Sequence, residues 1–385
     1  MTEKSDYGSF KDIFSVSKKT FLLAETGSRE FKTSRLLCGF LKKEGFGVEL
    51  PYKGMKTAFR AEYGKGKPAV GLLCEEDALP NGHSCGHNLI ASWAVGTAVK
   101  LKNAGYGGKI VVIGTPSEEG LGEYAGSKNY LVKKGAFDDI DFVIGAHPDS
   151  EWNVGCQSPA DITVDVIFIG KASHLEKAEK GVNALDALVS AYTGIRNVVS
   201  SFDKYKHVVA GMYIKEGGQA SNIVPEKAVL EIDLRCNDSK YLMRAYEKLK
   251  HVAKNMGDSY GVKVQIKNAS PLYEEYVNAE QIDRVLHKSL KKLKINANRL
   301  YIGRDKQIGA TDEANVSRVV PTGHIDFKIA PKGVPAHSDA FRRLSGSVGS
   351  LIPLKQSIIA TVDACIAIEK DEGLLKKAKD AKNRL

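Results

Sequence analysis

The 385-residue chain lacks any long uninterrupted apolar run. The longest one of note, Leu89 to Val99, has 11 residues and includes serine, glycine and threonine, whereas a membrane-spanning helix needs about 20. The first residues, MTEKSDYGSFKDIF, carry too many charges for a signal peptide. We therefore expect no membrane span and no export, and hence a cytoplasmic protein.

Cysteine is sparse, and its spacing does not form a disulfide framework. The six cysteines are Cys38, Cys74, Cys85, Cys156, Cys236 and Cys365. A chain of this length can bury roughly three quarters of its unfolded surface, so it needs no covalent staples. We expect reduced thiols, in agreement with a cytoplasmic location.

Internal repeats, low-complexity segments and extremes of composition are also missing. Charged residues make up 26% of the chain and hydrophobic ones 43%, which excludes a disordered chain, a coiled coil and a collagen-like repeat. The length predicts two or three domains. The one anomaly is a formal net charge of +10, which indicates a nucleic-acid partner, an acidic substrate or only a solvated basic face.

The first part of the chain alternates strand-like and helical runs. The first 45 residues have the apolar spacing of two helices. Strand-like runs follow at 57–62, 69–74, 109–114 and 141–146, and helical runs at 89–102 and 124–134. This alternation predicts an α/β layer with a largely parallel sheet.

The pattern changes near residue 160. Strands at 162–169, 207–214, 228–235 and 262–267 combine with helices at 183–199 and 239–256. Their β-α-β-β-α-β order is the ferredoxin-like split motif. After it, α/β character returns with helix 279–293, strand 325–330 and helix 347–368. We predict one α/β domain, residues 1–159 and 272–385, interrupted by an inserted domain, residues 160–271.

Metal-binding residue types follow the predicted strands at four places. These are the segment from Glu75 to Asn88, the pair Glu118 and Glu119, the pair His147 and Pro148, and the loop from Pro335 to Asp339. In open α/β sheets, sites form beyond the carboxyl ends of the strands, so the four segments can converge. Imidazole and thiolate suit zinc, and carboxylate also suits manganese. Taken singly, each residue is more often structural, but their conjunction predicts a metal site.

The adjacent glutamates suggest two roles. In an extended loop Glu118 and Glu119 point in different directions, so one can bind metal while the other accepts a proton from water. We likewise expect Cys85 and His87 to point the same way from an extended Cys85-Gly86-His87 segment. Two other interpretations stay open: Cys85 as a nucleophile with a histidine base, and a basic protein that binds nucleic acid or stores metal.

Longer motifs carry a family resemblance that covers almost the whole chain. Glu75-Glu-Asp-Ala-Leu-Pro, followed by Gly82-His-Ser-Cys-Gly-His-Asn-Leu-Ile, resembles the co-catalytic metal amidohydrolases and peptidases, which include aminoacylases, glutamate carboxypeptidases and auxin-conjugate amidohydrolases. The motifs Gly114-Thr-Pro-Ser-Glu-Glu, Gly218-Gln-Ala-Ser-Asn-Ile-Val-Pro, Gly309-Ala-Thr-Asp-Glu-Ala-Asn-Val-Ser and Pro335-Ala-His-Ser-Asp occur in family order. The resemblance implies a phosphorylase/hydrolase-like α/β metallopeptidase domain with an inserted ferredoxin-like α+β lid and dimerisation domain.

The resemblance also implies a set of site residues. The ligands of two divalent metal ions, zinc or manganese with cobalt or nickel as alternatives, would be Cys85, His87, Glu119, His147 and His337. Glu118 would be the general base, and His174 of the lid would polarise the scissile carbonyl, in dimeric relatives from the neighbouring subunit. Asn222 and Arg235 would hold the backbone and carboxylate of the substrate, since an arginine fork suits a carboxylate.

Departures from the family pattern narrow the expected branch. Asn88 replaces the aspartate usual in auxin-conjugate enzymes, and with the Thr311 to Ser317 motif it indicates the aminobenzoyl-glutamate hydrolase and β-alanyl-dipeptidase-like side. Asp77 is left without a defined role. The implied function is metal-dependent hydrolysis of an N-acyl amino acid, a dipeptide or an aminobenzoyl-glutamate-like amide, with a carboxypeptidase acting on short peptides as the alternative. The implied partners are such a substrate and a second copy of the chain.

The basic excess is concentrated in one segment. Between Arg284 and Lys306 there are eight basic residues and one acid, a net +7 of the total +10. Apolar residues alternate with them at roughly helical spacing, which predicts one solvated basic face outside the chemistry rather than a nucleic-acid site.

Overall fold

The structure, a computed structural model, describes residues 9–203, 206–300 and 309–382. The chain forms two compact units. The first runs to Gln157 and resumes at Tyr276, and the second extends from Ser158 to Glu275. Arg304 and Lys306, two members of the expected basic segment, lie outside the described residues.

The helices and strands of both units follow in chain order. They are α1 Lys11–Leu23, α2 Phe31–Lys43, β1 Gly47–Glu49, β2 Phe59–Tyr63, β3 Val70–Glu75, α3 His87–Asn103, β4 Ile110–Thr115, α4 Ser127–Lys133, β5 Phe142–Asp149, β6 Asn153–Val154, β7 Ala160–Ile169, β8 Ser173–His174, α5 Ala184–Ser200, β9 Val209–Glu216, β10 Ile223–Val224, β11 Lys227–Cys236, α6 Ser239–Ser259, β12 Lys263–Asn268, α7 Glu280–Lys292, β13 Asn298–Arg299, α8 Glu313–Ser317, β14 Thr322–Lys328, α9 Asp339–Ser345, α10 Leu351–Glu369 and α11 Glu372–Lys382.

The first unit is built on an eight-stranded sheet in the order β1-β2-β4-β3-β5-β14-β6-β13. Its centre, β4-β3-β5-β14, is parallel, as the sequence predicts. The flanking pairs are mixed: β1 pairs antiparallel with β2, β2 with β4 and β6 with β14, while β13 pairs parallel with β6. The expectation of a largely parallel sheet therefore holds for the centre, and the sheet as a whole is mixed. Strands β3 and β4 are buried along their whole length, which explains their continuous apolar runs.

Helices cover this sheet and complete the larger core. Helix α3 is buried from His87 to Leu101, and its apolar residues lie on all sides, as in a central core helix. By length and composition alone, the helical stretch Val348–Glu369 is long and apolar enough to cross a membrane. It packs against α3 and α7, which accounts for its composition without a membrane. The lysine-rich tail forms the separate helix α11, in which Leu375 and Ala378 are buried.

The second unit has the predicted split β-α-β-β-α-β arrangement. Its antiparallel sheet has the order β12-β7-β11-β9, and α5 and α6 pack against each other and against the sheet. Alternate residues of β7 and β11 enter a core of their own, in which Phe168, Leu188 and Leu230 are fully buried. Strand β9 lies at the edge of this sheet and exposes Val209 and Tyr213.

Candidate metal centre

Three parallel strands deliver the metal-binding residue types to one edge of the first sheet. Glu75 is the last residue of β3, and Thr115, the last of β4, is followed two residues later by Ser117 and then by the glutamate pair. His147 lies within β5, which runs further than the sequence pattern suggests. Because parallel strands end at the same edge, side chains far apart in sequence meet there.

Gly86 makes the turn that joins the metal-binding segment to α3. Its φ of +83° is left-handed, and a Cβ added at this position would lie 2.5 Å from Cγ of Pro148. The expectation of an extended Cys85-Gly86-His87 segment is therefore wrong, since the left-handed glycine ends the loop and His87 begins the helix. The close approach to Pro148 nevertheless brings Cys85 and His87 beside His147.

Six side chains form what we call the donor cluster: Cys85, His87, Glu118, Glu119, His147 and His337. Ligand atoms lie within 4.8 Å of one another in two groups that share Cys85, one with His87 and His147 and one with Glu119 and His337. Cys85 Sγ is 3.3 Å from His147 Nε2, and Glu119 Oε2 is 3.4 Å from His337 Nε2. Ligand atoms around a tetrahedral zinc ion are about 3.3–3.8 Å apart, so these separations fit shared coordination.

Hydrogen bonds orient the imidazoles of His87 and His147. Asp77 Oδ1 lies 3.1 Å from His87 Nδ1, and Asp77 Oδ2 accepts the backbone N–H of Glu119. His147 Nδ1 lies 2.8 Å from the carbonyl oxygen of Pro148. With Nδ1 donating in each ring, both Nε2 atoms face the cluster as potential ligands, the usual arrangement of metal-binding histidines. Asp77, whose role the sequence leaves undefined, thus fixes both a histidine and the glutamate loop.

Two polar atoms of the cluster are buried and make no hydrogen bond within the part of the chain that the structure describes. Neither His87 Nε2 nor Glu119 Oε1 has a hydrogen-bond partner among the described residues. Yet His87 Nε2 has three carboxylate oxygens around it, from Glu75 at 3.6 Å, Glu119 at 3.7 Å and Glu118 at 3.8 Å. Unpaired buried polar atoms cost about 1–3 kcal/mol each, and the convergence of acids adds repulsion. A divalent cation would remove both penalties, so the residues present fit a metal centre.

Burial shifts the pKa values of three residues of the cluster, Cys85, His147 and Glu118. It raises the pKa of the Cys85 thiol and lowers the pKa of His147. A raised thiol pKa is the opposite of what an activated cysteine nucleophile requires, and a neutral imidazole is what a metal binds. Burial, with the nearby Glu75 carboxylate, also raises the pKa of Glu118 well above its usual range, which suits a proton acceptor that must later release its proton.

His337 differs from the rest of the cluster because it is exposed. Its φ is +67°, and its backbone N–H donates to the carbonyl of Ser84 at 2.9 Å. Asn81 Nδ2 donates to the His337 carbonyl at 3.2 Å. These bonds tie the loop after β14 to the segment that carries Cys85, so a residue 256 positions after Asn81 reaches the same site.

Sequence reasoning missed a buried ionic network behind the cluster. Lys128 of α4 is fully buried between Asp312 and Glu75, and its Nζ lies 2.8 Å from Glu75 Oε1. Asp312 Oδ2 also accepts the backbone N–H of Lys128, and Thr311 Oγ1 donates to Glu118 Oε1 at 2.9 Å. Thr311 and Asp312 belong to a motif that the sequence indicates only as a marker of the family branch. Nothing in the sequence around Lys128, a lysine in a short helix, indicates that it belongs to this network.

A second buried network lies on β14. His324 lies between Glu313 and Asp326, at 2.9 and 3.1 Å, and the Tyr276 hydroxyl donates to Glu313 at 2.8 Å. Burial alone would lower the pKa of His324, but the Glu313 carboxylate raises it well above its ordinary value. Only glycine fits at position 145 of β5, since a Cβ there would lie 2.1 Å from Glu313 Oε2.

The three candidate residues of the second unit lie on its strands and on a turn. The β8–β10 ladder pairs His174 with Ile223, and the Asn222 carbonyl accepts the N–H of Leu175, so His174 and Asn222 lie close together. Both are exposed. Arg235 lies on β11, where its Nε is 2.8 Å from Asp161 and its Nη2 is 2.8 Å from Asp233. Their roles toward a substrate stay predictions.

Known proteins resemble this chain in sequence and in fold. A family model described as a peptidase dimerisation domain matches residues 161–260. The chain is 32% identical over 359 residues to a Xaa-Arg dipeptidase of Homo sapiens, covering 86% of this chain and 80% of that protein. It is 30% identical over 253 residues to one of the p-aminobenzoyl-glutamate hydrolase polypeptides of Escherichia coli, covering 60% and 52%. A dinuclear metal binding peptidase of the M20 family from Bacillus subtilis has the same fold, with a TM-score of 0.68 at 16% identity and coverage of 95% and 99%.

Proposed function

The chain belongs to the M20 family of metallopeptidases, and on that premise we propose that it cleaves the amide bond of a small substrate that carries a free carboxylate. Metal-dependent hydrolysis of an amide or peptide bond agrees with the relatives named above. The observation that carries the proposal is the donor cluster, in which buried His87 Nε2 and Glu119 Oε1 lack hydrogen-bond partners among the described residues and His87 Nε2 lies 3.8 Å from Glu118 Oε2.

Five residues would hold two divalent ions: Cys85, His87, Glu119, His147 and His337. The thiol and three imidazoles favour zinc, and the carboxylate also suits manganese, with cobalt and nickel as further candidates. When bound, the ions supply Lewis acidity, which lowers the pKa of water toward about 7 and polarises a carbonyl.

The remaining steps fall to the protein. Glu118 accepts the proton of a water held in the donor cluster and returns it to the leaving amine. His174 donates a hydrogen bond to the carbonyl oxygen as negative charge develops there. Asn222 and Arg235 hold the free carboxylate of the leaving group. We propose residues 160–271 as the inserted lid and dimerisation domain that carries these last three residues.

Dipeptides are the first substrate class in this proposal. A relative that covers most of the chain is a Xaa-Arg dipeptidase, and another hydrolyses, by its name, p-aminobenzoyl-glutamate. Both names describe an amide bond whose amine side comes from an amino acid. N-acyl amino acids and aminobenzoyl-glutamate-like amides share this feature and form the second class.

The test is a substrate panel on protein reconstituted with zinc or manganese. Dipeptides with basic, acidic and apolar C-terminal residues, N-acetyl amino acids and aminobenzoyl-glutamate would be offered, each with its C-terminal amide as control. We expect hydrolysis of at least one free acid, loss of activity on chelation and recovery on adding metal. A metal-loaded protein that hydrolyses none of them would contradict the amide-hydrolase assignment.

We further propose a cytoplasmic homodimer. All six cysteines are free and buried, as in a reducing compartment. The edge strand β9 exposes Tyr213 and Ile214, and such an edge invites pairing with a second copy. Light scattering of the wild type and of Tyr213→Lys tests the dimer: we expect two copies for the wild type and a shift toward one for the variant. A monomeric wild type would contradict it.

A further inference from the structure

The carboxylate of Glu118 keeps a fixed position only if another residue contacts it. It lies in the loop after β4, where the preceding residue, Ser117, has a left-handed φ of +59°. A glutamate has several rotatable side-chain bonds, and a misplacement of about 1 Å in a reacting group can reduce the rate about 100-fold. A fixed contact to one carboxylate oxygen would therefore matter for turnover.

Thr311 makes such a contact. Its Oγ1 lies 2.9 Å from Glu118 Oε1, while the backbone N–H of Glu313 donates to the same Oγ1 at 3.2 Å. A hydroxyl has a single proton to donate. When Glu118 is ionised its carboxylate can only accept, so the proton of Thr311 points to Glu118, and the incoming N–H of Glu313 occupies a lone pair and restrains the hydroxyl.

The segment that carries Thr311 is itself anchored. Asp312 is tied to the buried Lys128 through the side chain and the backbone N–H of that residue. Glu313 is held by the hydroxyl of Tyr276 and by His324. Two consecutive buried residues thus fix the backbone next to Thr311, so its hydroxyl acts from a rigid support rather than from a mobile loop.

The contact gives the two carboxylate oxygens of Glu118 different surroundings. Oε1 accepts from Thr311, and Oε2 faces the cluster, 3.8 Å from His87 Nε2. We propose that Thr311 is a positioning residue: its hydroxyl fixes Glu118 so that Oε2 is presented to the reacting water, an inference that rests on the role of Glu118 proposed above.

The test compares two substitutions at this position in metal-loaded protein. Thr311→Val keeps the shape and removes the donor, and we expect kcat to fall about 10- to 100-fold with KM and bound metal nearly unchanged. Thr311→Ser keeps the donor and should retain kcat within about 3-fold. Thr361→Val is the matched control, because Thr361 is likewise a threonine whose hydroxyl makes hydrogen bonds, to Ser357 and Trp93, but it lies in α10.

Each result decides the question. A Thr311→Val enzyme with wild-type kcat, or a Thr311→Ser enzyme as slow as Thr311→Val, overturns the inference while leaving the proposed function intact if Glu118→Gln is inactive. A fully active Glu118→Gln enzyme instead overturns the role of Glu118 and the inference with it. The Tm shifts of Thr311→Val and Glu118→Ala should be non-additive in the double variant, and additive shifts would show that the contact is not formed.

Discussion

The donor cluster of the first unit and the three candidate residues of the second unit use charge in opposite ways. In the cluster, Cys85 and His87 are buried, three carboxylates crowd around His87 Nε2, and two atoms have no hydrogen-bond partner among the described residues. In the second unit, His174 and Asn222 are exposed, and Arg235 is paired with Asp161 and Asp233. The first arrangement is under electrostatic stress that a cation relieves. The second is stable in water and can contact a ligand without rebuilding the protein.

This contrast has its origin in the two sheets. The cluster lies at the ends of strands that are buried on both faces, so all of its side chains except His337 are mostly enclosed. In the second unit, β11 alternates buried and half-exposed residues, because only one face of its sheet is packed. Removing a group should therefore affect chemistry most in the cluster, binding next in the second unit, and stability alone elsewhere.

Glu118→Gln is the substitution with the largest expected effect. It keeps the size of the side chain and its contact to Thr311 but removes the proton acceptor, so kcat should fall by about 10³-fold or more. Bound metal should stay at the wild-type level, which mass spectrometry under native conditions can measure. Glu123→Gln, an exposed change in the same loop, is the control and should keep full activity. Equal activity of the two variants would show that Glu118 is not the general base.

The sequence predicts the groups that are recognised by type and place. Cys85, His87, the glutamates and His147 follow strands whose apolar runs are plain in the sequence, so their convergence follows from sheet geometry. The sequence cannot predict that Lys128 is buried, because its burial depends on Asp312, 184 positions away. The turn at Gly86 is likewise hidden, since the close approach that leaves no room for a Cβ there comes from Pro148, which is distant in sequence.

The fold shows the same division. The central strands have continuous apolar runs and the long helices have periodic patterns, so both are predictable to within a few residues. The strands β6 and β13, of two residues each, have no pattern to read, because their pairing is dictated by neighbours that are distant in sequence. The tail helix α11 depends on the burial of Leu375 and Ala378, which composition alone does not reveal.

Arg235→Ala tests whether the second unit contributes binding rather than chemistry. We expect KM for a free-acid substrate to rise about 10- to 100-fold with little change in kcat, since a charge-assisted hydrogen bond is worth about 1.5–3 kcal/mol. The corresponding C-terminal amide should be affected far less. Because the change leaves Asp161 and Asp233 without their cation, Tm must be recorded alongside. An unchanged preference for acid over amide would make Arg235 only a strand-face ion pair.

Glu30→Gln examines a buried acid of the first unit outside the donor cluster. Burial raises the pKa of Glu30 to about 7 from its usual 4.5, and the Asp77 carboxylate adds to the shift. The folded state therefore holds this proton more tightly than the unfolded chain. The raised pKa leaves the free energy of unfolding unchanged below pH 4.5. As pH rises from there toward 7, ionisation of Glu30 lowers the free energy of unfolding.

The glutamine keeps the acceptor for the N–H groups of Ser28 and Ser117 and cannot ionise. The full shift corresponds to about 3 kcal/mol, of which an unpaired amide N–H₂ would cancel part. We expect the variant to be more stable than the wild type by about 2 kcal/mol at about pH 8, with no gain at about pH 4. Urea unfolding at both pH values measures the difference. An equal difference at the two pH values would exclude ionisation of Glu30 as its cause.

The smallest effect is expected for the basic face of α7. Lys288 and Lys291 are exposed, while Ile282, Leu286 and Leu290 on the same helix are buried, so the helix separates charge from core. Exposed charges of this kind change stability by less than about 0.5 kcal/mol. Lys288→Gln combined with Lys291→Gln should therefore leave both kcat/KM and Tm at wild-type values.

The same pair tests the remaining explanation of the +10 charge. A nucleic-acid-binding face would give affinity for duplex DNA that falls steeply with salt and drops in the double variant. We expect no such binding in either protein. The positive charges of this helix are solvated by water, whereas the acids around His87 are enclosed and repel one another.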